Sequence, residues 1–130
     1  MAQRVLVVED NDDWRAIMAL IFARLGYTVL QAVDGSDAVE KAVSEHPHLI
    51  IMDYRMPKMN GLEATTALKG NPVTKDIPVI INTSKTLQED ELAWFCARAR
   101  MVLSKSALSR EIVAGLVQQI VSGQSAGGSE

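Results

Sequence analysis

Along this chain the hydrophobic positions switch repeatedly between short unbroken runs and helical spacing. Arg4–Val8 and Leu49–Met52 are near-continuous apolar runs, the pattern of strands buried on both faces of a parallel sheet. Between them Trp14, Ile17, Met18, Ile21, Phe22 and Leu25 recur at steps of three and four, which predicts a helix over 13–25 with these residues inward, stopped at Gly26. Residues 27–32 read as a strand, Asp34-Gly35 as a turn, and 36–46 as a helix with Ala38, Val39, Ala42 and Val43 inward, ended by Pro47. A strand over 49–53, a loop through Pro57 to Asn60, a helix over 61–69, a break at Gly70-Asn71-Pro72 and a strand over 77–82 follow. A helix over 86–98 would place Leu92, Phe95, Cys96 and Ala99 on one inward face, with Trp94 and Leu87 on the outer side. A short strand over 101–103 leads to a last helix over 106–121, with Leu108, Ile112, Leu116 and Ile120 spaced by fours. The remainder, 122–130, is small and polar and is expected to be a flexible Gly/Ser-rich tail behind one domain over 1–121. Five strands alternating with five helices predict an α/β doubly wound sheet.

Composition narrows the class of function. A chain of 130 residues with 48% hydrophobic and 22% charged residues suits a single globular core. Its apolar runs fall short of the roughly 20 residues that span a bilayer, so no membrane contact is expected. The start, Met-Ala-Gln-Arg-Val, has no secretory architecture, and the single Cys96 cannot form an internal disulfide. Together they predict a cytoplasmic setting. A net charge of −3 and a pI near 5.4 argue against nucleic acid as a direct partner.

The candidate chemistry lies where strands end. The first run leads into Glu9-Asp10 and the third strand into Asp53. In an open parallel sheet ligands bind beyond the carboxyl ends of the strands, so three acids would meet there. Clustered carboxylates repel unless a cation or protonation relieves them, and a hard divalent ion suits oxygen ligands.

The stretch Met52-Asp53-Tyr54-Arg55-Met56-Pro57-Lys58-Met59-Asn60-Gly61 resembles the phosphoacceptor segment of two-component response-regulator receiver domains. Glu9-Asp10 is similar to that family's acidic pair, Thr83 to its switch hydroxyl after the fourth strand, and Lys105 to its lysine after the fifth. These positions are roughly 40, 30 and 20 residues apart, and the resemblance covers residues 4 to 121. It implies a flavodoxin-like receiver fold with strand order 2-1-3-4-5. It further implies that Asp53 is the phosphoacceptor, that Glu9, Asp10, Asp53 and the Arg55 backbone carbonyl hold Mg²⁺ (with Mn²⁺ as a substitute), and that Thr83 and Lys105 contact the phosphoryl group. The implied partners are a histidine kinase or phosphotransfer protein and a downstream protein reached through the surface around helix 4, strand 5 and helix 5. The expected state is a monomer or weak homodimer. The chain would be a single-domain regulator similar to the chemotaxis response regulator, a phosphorelay intermediate, or a receiver cut from a longer regulator. Its only enzymatic activity would be its own phosphorylation and dephosphorylation.

Some positions depart from the family pattern. Ser106 follows Lys105 where a cis proline is usual, and a non-proline cis bond costs about 2.5–4 kcal/mol. Val102 stands where an aromatic switch residue is usual, and Ser84 follows the switch hydroxyl in place of the more usual alanine. Arg55 and Lys85 occupy variable positions flanking the phosphorylation site; both cationic, they are expected to attract a phosphodonor and lengthen the phosphorylated lifetime. Leu87, Trp94 and Val102 form the expected partner surface, with Trp94 either an exposed anchor or laid flat over its neighbours. Cys96 is expected to be an inert inward-facing residue, and His46 and His48 surface residues. A phosphatase of the haloacid dehalogenase type also uses a strand-end aspartate. That family places a second acid two residues on, where this chain has Arg55.

Overall fold

The computed structural model describes residues 3–54, 59–83, 88–99, 101–104 and 115. Along them run β1 (Arg4–Val8), α1 (Asp12–Arg24), β2 (Thr28–Ala32), α2 (Gly35–Glu45), β3 (Leu49–Met52), α3 (Gly61–Lys69), β4 (Val79–Thr83), α4 (Glu89–Arg98) and β5 (Met101–Ser104). The strands form one parallel sheet in the order β2-β1-β3-β4-β5. This is the doubly wound, flavodoxin-like arrangement expected. The fifth helix over 106–121 and the tail over 122–130 lie outside the described residues apart from Gly115.

Strand alternation divides the core in two. Leu6, Val8, Ile50, Met52, Val79 and Ile81 face one side, where they meet Ala38 and Ala42 of α2, Ala64 and Leu68 of α3 and Phe95 of α4. The alanines leave room for those helices to lie close to the sheet. Val5, Val7, Leu49, Ile51 and Ile80 face the other side, packed with Met18 and Phe22 of α1. Burial on both faces explains why these strands read as unbroken apolar runs.

Side-chain caps fix where three helices begin. Asn11 accepts from the Trp14 N–H at 2.8 Å, Asp34 from the Asp37 N–H at 2.8 Å, and Asn60 from the Glu63 N–H at 2.9 Å. Asn60 and Glu63 complete a reciprocal capping box, since Glu63 accepts from the Asn60 N–H at 3.0 Å. The second helix ends with His46 in the left-handed region at φ 50°. Both His46 and His48 are exposed, and His48 Nδ1 accepts from the Arg4 N–H at 2.9 Å. No helix among the described residues is long and apolar enough to cross a membrane.

Four apolar residues expected inward are not. Ile17 is 46% exposed and Val43 37%. Each lies about 100° around its helix from a buried neighbour, Met18 and Ala42 respectively, beyond the rim of the buried arc. Leu92 is 43% exposed and Cys96 is also exposed. The buried arc of α4 is centred on Phe95 and extends toward Glu91 and Trp94, both half-buried, rather than toward Leu92 and Cys96. A hydrogen bond between Glu91 and Tyr54, the residue after Asp53, holds the helix in this orientation.

Candidate functional site

Register brings the acids together. Val8 pairs with Met52 at the ends of β1 and β3, and the next residues on each strand are Glu9 and Asp53. The ladder continues past the strands: the Asp53 N–H donates to the Val8 carbonyl at 3.1 Å and the Glu9 N–H to the Ala32 carbonyl at 3.0 Å. Glu9 and Asp53 are buried and Asp10 is exposed, yet one carboxylate oxygen from each lies within 4.8 Å of the others.

The loop that carries the acidic pair is anchored on both sides. The Asn11 N–H donates to Glu9 Oε2 at 3.2 Å, while the Asn11 side chain caps α1. Arg15 reaches back from α1, donating Nη1 to the Glu9 carbonyl at 2.8 Å and Nη2 to Asp12 Oδ1 at 2.6 Å. Its Nε donates to Gln31 Oε1 on β2 at 3.3 Å. Neither Asn11 nor Arg15 stands out in the sequence. An asparagine three residues ahead of the first inward-facing residue was the signal available for the cap.

On the other side, α3 closes against the Asp53 segment. The Gly61 N–H donates to the Tyr54 carbonyl at 2.7 Å. A Cβ at Gly61 would lie 2.8 Å from the Asp53 carbonyl oxygen and 2.9 Å from Tyr54 Cα. Only glycine fits this approach. Tyr54, one residue past Asp53, then leans toward α4: its hydroxyl donates to Glu91 Oε2 at 2.9 Å and its ring meets Phe95 edge-on with centroids 5.6 Å apart. The tyrosine lies inside the segment that carries the resemblance but was given no role there, and its glutamate partner was marked by neither motif nor spacing.

The donor set suits a hard divalent cation. All three groups offer oxygen, the chemistry of Mg²⁺, Ca²⁺ or Mn²⁺ rather than of softer metals. Like charges no more than 4.8 Å apart repel by at least about 3.5 kcal/mol at an effective dielectric of 20. That figure applies to the buried pair, Glu9 and Asp53; water screens the exposed Asp10 more. A cation among them reverses the sign of the interaction.

Of the other expected site residues, Thr83 ends β4, where its backbone pairs with Ser104 of β5. Val102 of β5 is half-buried and packs against the core side that holds Phe95. Trp94 is half-buried rather than free-standing: its ring meets Phe95 edge-on at 5.1 Å and carries the Arg98 guanidinium 4.3 Å from its centroid. Arg55, Ser84, Lys85, Leu87, Lys105 and Ser106 lie outside the described residues.

Known proteins resemble this chain in sequence and in fold. The chain is 32% identical over 114 residues to the phosphate regulon transcriptional regulatory protein PhoB of Klebsiella pneumoniae, an alignment covering 88% of this chain and 50% of that one. It is 34% identical over 117 residues to a gliding motility regulatory protein of Myxococcus xanthus, covering 90% of this chain and 15% of that one. The chain thus spans half the length of the first relative and a small part of the second. Among solved structures, the receiver domain of the sensor histidine kinase PA1611 from Pseudomonas aeruginosa PAO1 carries a magnesium ion coordinated in its active-site cleft. It matches with a TM-score of 0.85 at 28% identity, over 94% of this chain and 99% of that one. Chemotaxis protein CheY4 of Vibrio cholerae matches with a TM-score of 0.84 at 27% identity, over 92% and 99%. The family model of the response regulator receiver domain matches residues 5–117, and with the five-stranded sheet and its acidic strand ends in agreement, this chain belongs to that family.

Proposed function

We propose that this chain is a phosphoacceptor receiver in which Asp53 takes a phosphoryl group from a histidine kinase, a phosphotransfer protein or a small phosphodonor. The observation that carries the reading is the convergence of Glu9, Asp10 and Asp53 within 4.8 Å at the carboxyl ends of β1 and β3. One Asp53 oxygen attacks phosphorus, forming an acyl phosphate as the bond to the donor's nitrogen or oxygen breaks. Such transfer is catalysed mainly by positioning and charge neutralisation.

This chain's residues divide those tasks. The Val8 carbonyl, through the Asp53 N–H, and the Gly61 contact hold the nucleophile's backbone. Glu9, Asp10, Asp53 and the Arg55 carbonyl would hold Mg²⁺, or Mn²⁺ in its place. Bound there, the ion would supply positive charge against the phosphoryl oxygens and relieve the carboxylate repulsion. Lys105 would pair with Asp53 and then with the phosphoryl group, and Thr83 would donate to a phosphoryl oxygen. Arg55, Ser84 and Lys85 would set how easily donors and water reach the site. The signal would pass through the surface of α4, β5 and the segment after it, including Leu87, Trp94 and Val102, to a downstream protein.

The chain acts in the cytoplasm on this reading, with residues 1–121 as the receiver and 122–130 as a flexible tail. Because its relatives PhoB and the gliding motility protein are longer, a second reading is a receiver that belongs to a longer regulator or serves as a relay intermediate.

Acetyl phosphate with Mg²⁺, followed by intact-mass spectrometry, tests the proposal. One phosphoryl group should be gained, and the gain should vanish in Asp53→Asn and in EDTA. Continuous release of phosphate would instead indicate a phosphatase, and no modification would end the phosphoacceptor reading. Chasing the phosphoprotein after removing the charges of Arg55 and Lys85 together should shorten its lifetime; an unchanged rate refutes their role.

A further inference from the structure

Tyr54 and Glu91 join the segment that carries Asp53 to the start of α4. The Tyr54 hydroxyl donates to Glu91 Oε2 at 2.9 Å, across 37 residues of sequence. The other oxygen of that carboxylate, Oε1, accepts from the Gln88 N–H at 2.9 Å and so caps the first turn of α4. One carboxylate therefore serves both the helix and the residue covalently next to Asp53. Tyr54 is held from behind as well, by the Gly61 N–H on its carbonyl at 2.7 Å.

Beside this bond runs a series of rings. Tyr54 meets Phe95 at 5.6 Å, Phe95 meets Trp94 at 5.1 Å, and Arg98 lies 4.3 Å from the Trp94 centroid. Phe95 is fully buried. Interiors are close-packed and transmit displacement, so Tyr54 cannot move far without moving its neighbours. At Val102, half-buried on the same side of the sheet, the chain has no ring that could swing between two positions.

We propose that the Tyr54–Glu91 hydrogen bond couples the state of Asp53 to the first turn of α4, with Tyr54 and Glu91 as positioning residues. The proposal rests on the reading of Asp53 as phosphoacceptor. A phosphoryl group there adds charge and three acceptor oxygens one residue away from Tyr54. When the Asp53–Tyr54 segment adjusts, the hydroxyl either carries Glu91 with it or releases it. Either way the cap on Gln88 changes, because the same carboxylate holds it. Couplings of this kind are typically about 5–150-fold, and they are reciprocal. A partner that grips α4 would thus alter the phosphorylation equilibrium of Asp53 by the same factor.

The test uses the full chain with 5-fluorotryptophan at Trp14 and Trp94, whose two ¹⁹F resonances are assigned with Trp14→Phe. Beryllium fluoride with Mg²⁺ serves as the phosphoryl mimic. The Trp14 backbone N–H donates to Asn11, next to Asp10, so this residue reports occupation of the site; Trp94 reports α4. In wild type both resonances should move. In Tyr54→Phe, which keeps the ring and removes the hydroxyl, Trp14 should still move while Trp94 loses most of its shift. Glu91→Gln should act the same way and carries the test if the first variant does not fold. A full Trp94 shift in either folded variant, or an immobile Trp94 in wild type while Trp14 moves, overturns the coupling alone. If neither resonance moves in wild type, the phosphoacceptor reading falls, and the coupling with it.

Discussion

Replacing Gly61 with alanine should damage both stability and the Asp53 site, against the usual effect of that substitution. Within a helix, Gly→Ala commonly gains roughly 0.5–1 kcal/mol by restricting the unfolded chain. Gly61 has no left-handed backbone angle to oppose the change. Contact decides the sign. The new Cβ would sit 2.8 Å from the Asp53 carbonyl oxygen and 2.9 Å from Tyr54 Cα, where ordinary contact begins at 3.4 Å. The Asp53–Tyr54 peptide and the start of α3 must therefore separate by about half an ångström. Overpacking of this kind costs about 1–3 kcal/mol. Misplacing a reacting group by about 1 Å can cost 10²-fold in rate, so half that distance suggests a roughly tenfold slower gain of phosphoryl at Asp53. Urea unfolding gives the stability change, and the rate of modification by acetyl phosphate gives the second number. Gly26→Ala is the comparison. Gly26 has φ 94°, and a methyl group there would meet nothing within 4 Å. It should lose about 1–2 kcal/mol through conformation and keep its phosphorylation rate. A Gly61→Ala protein at least as stable as wild type, phosphorylated at the wild-type rate, would refute the reasoning.

Asn11→Ala removes the α1 cap but leaves the backbone N–H that meets Glu9. It should cost about 1 kcal/mol in urea unfolding and weaken Mg²⁺ binding, measured by titration of Trp14 fluorescence, because the acidic loop loses one of its anchors to α1 while Arg15 keeps the other. Burial raises the pKa of Tyr27 above the ordinary tyrosine value, while its ring packs edge-on against Phe22 at 6.1 Å. The folded state then holds that proton more tightly than the unfolded state. Its contribution is complete below about pH 10 and declines as pH rises through the folded value; Tyr27→Phe should flatten the decline in a pH series of unfolding midpoints.

Much of the architecture was legible because the strands are buried on both faces, which turns them into unbroken runs such as Val5–Val8 and Leu49–Met52. The acids stood out for the same reason, as abrupt ends to those runs. Helix orientation was harder. Six apolar residues in α1 span more of the circumference than the sheet covers, so Ile17 falls outside the stripe defined by Met18 and Phe22. In α4 the apolar count favoured Leu92 and Cys96. The helix instead turns toward Glu91, whose carboxylate bonds Tyr54, and toward Trp94, which packs on Phe95. A hydrogen bond between residues 37 positions apart leaves no trace in periodicity. The anchors Asn11 and Arg15 were missed because they act on backbone atoms of the acidic loop rather than through a recognisable motif.

The interior place of β1, between β2 and β3, also bears on the stability of the fold. Pairing β1 with β3 is sufficient to gather Glu9, Asp10 and Asp53, so the first 53 residues already assemble the charge cluster. Their mutual repulsion is therefore set within the β1–β3 pair and is independent of β4 and β5. For a domain whose whole net stability is about 5–15 kcal/mol, a divalent ion that binds this cluster acts as a folding ligand, stabilising the native state by mass action. On the proposed reading, Mg²⁺ would then add to the folding free energy as well as to the reactivity of the site.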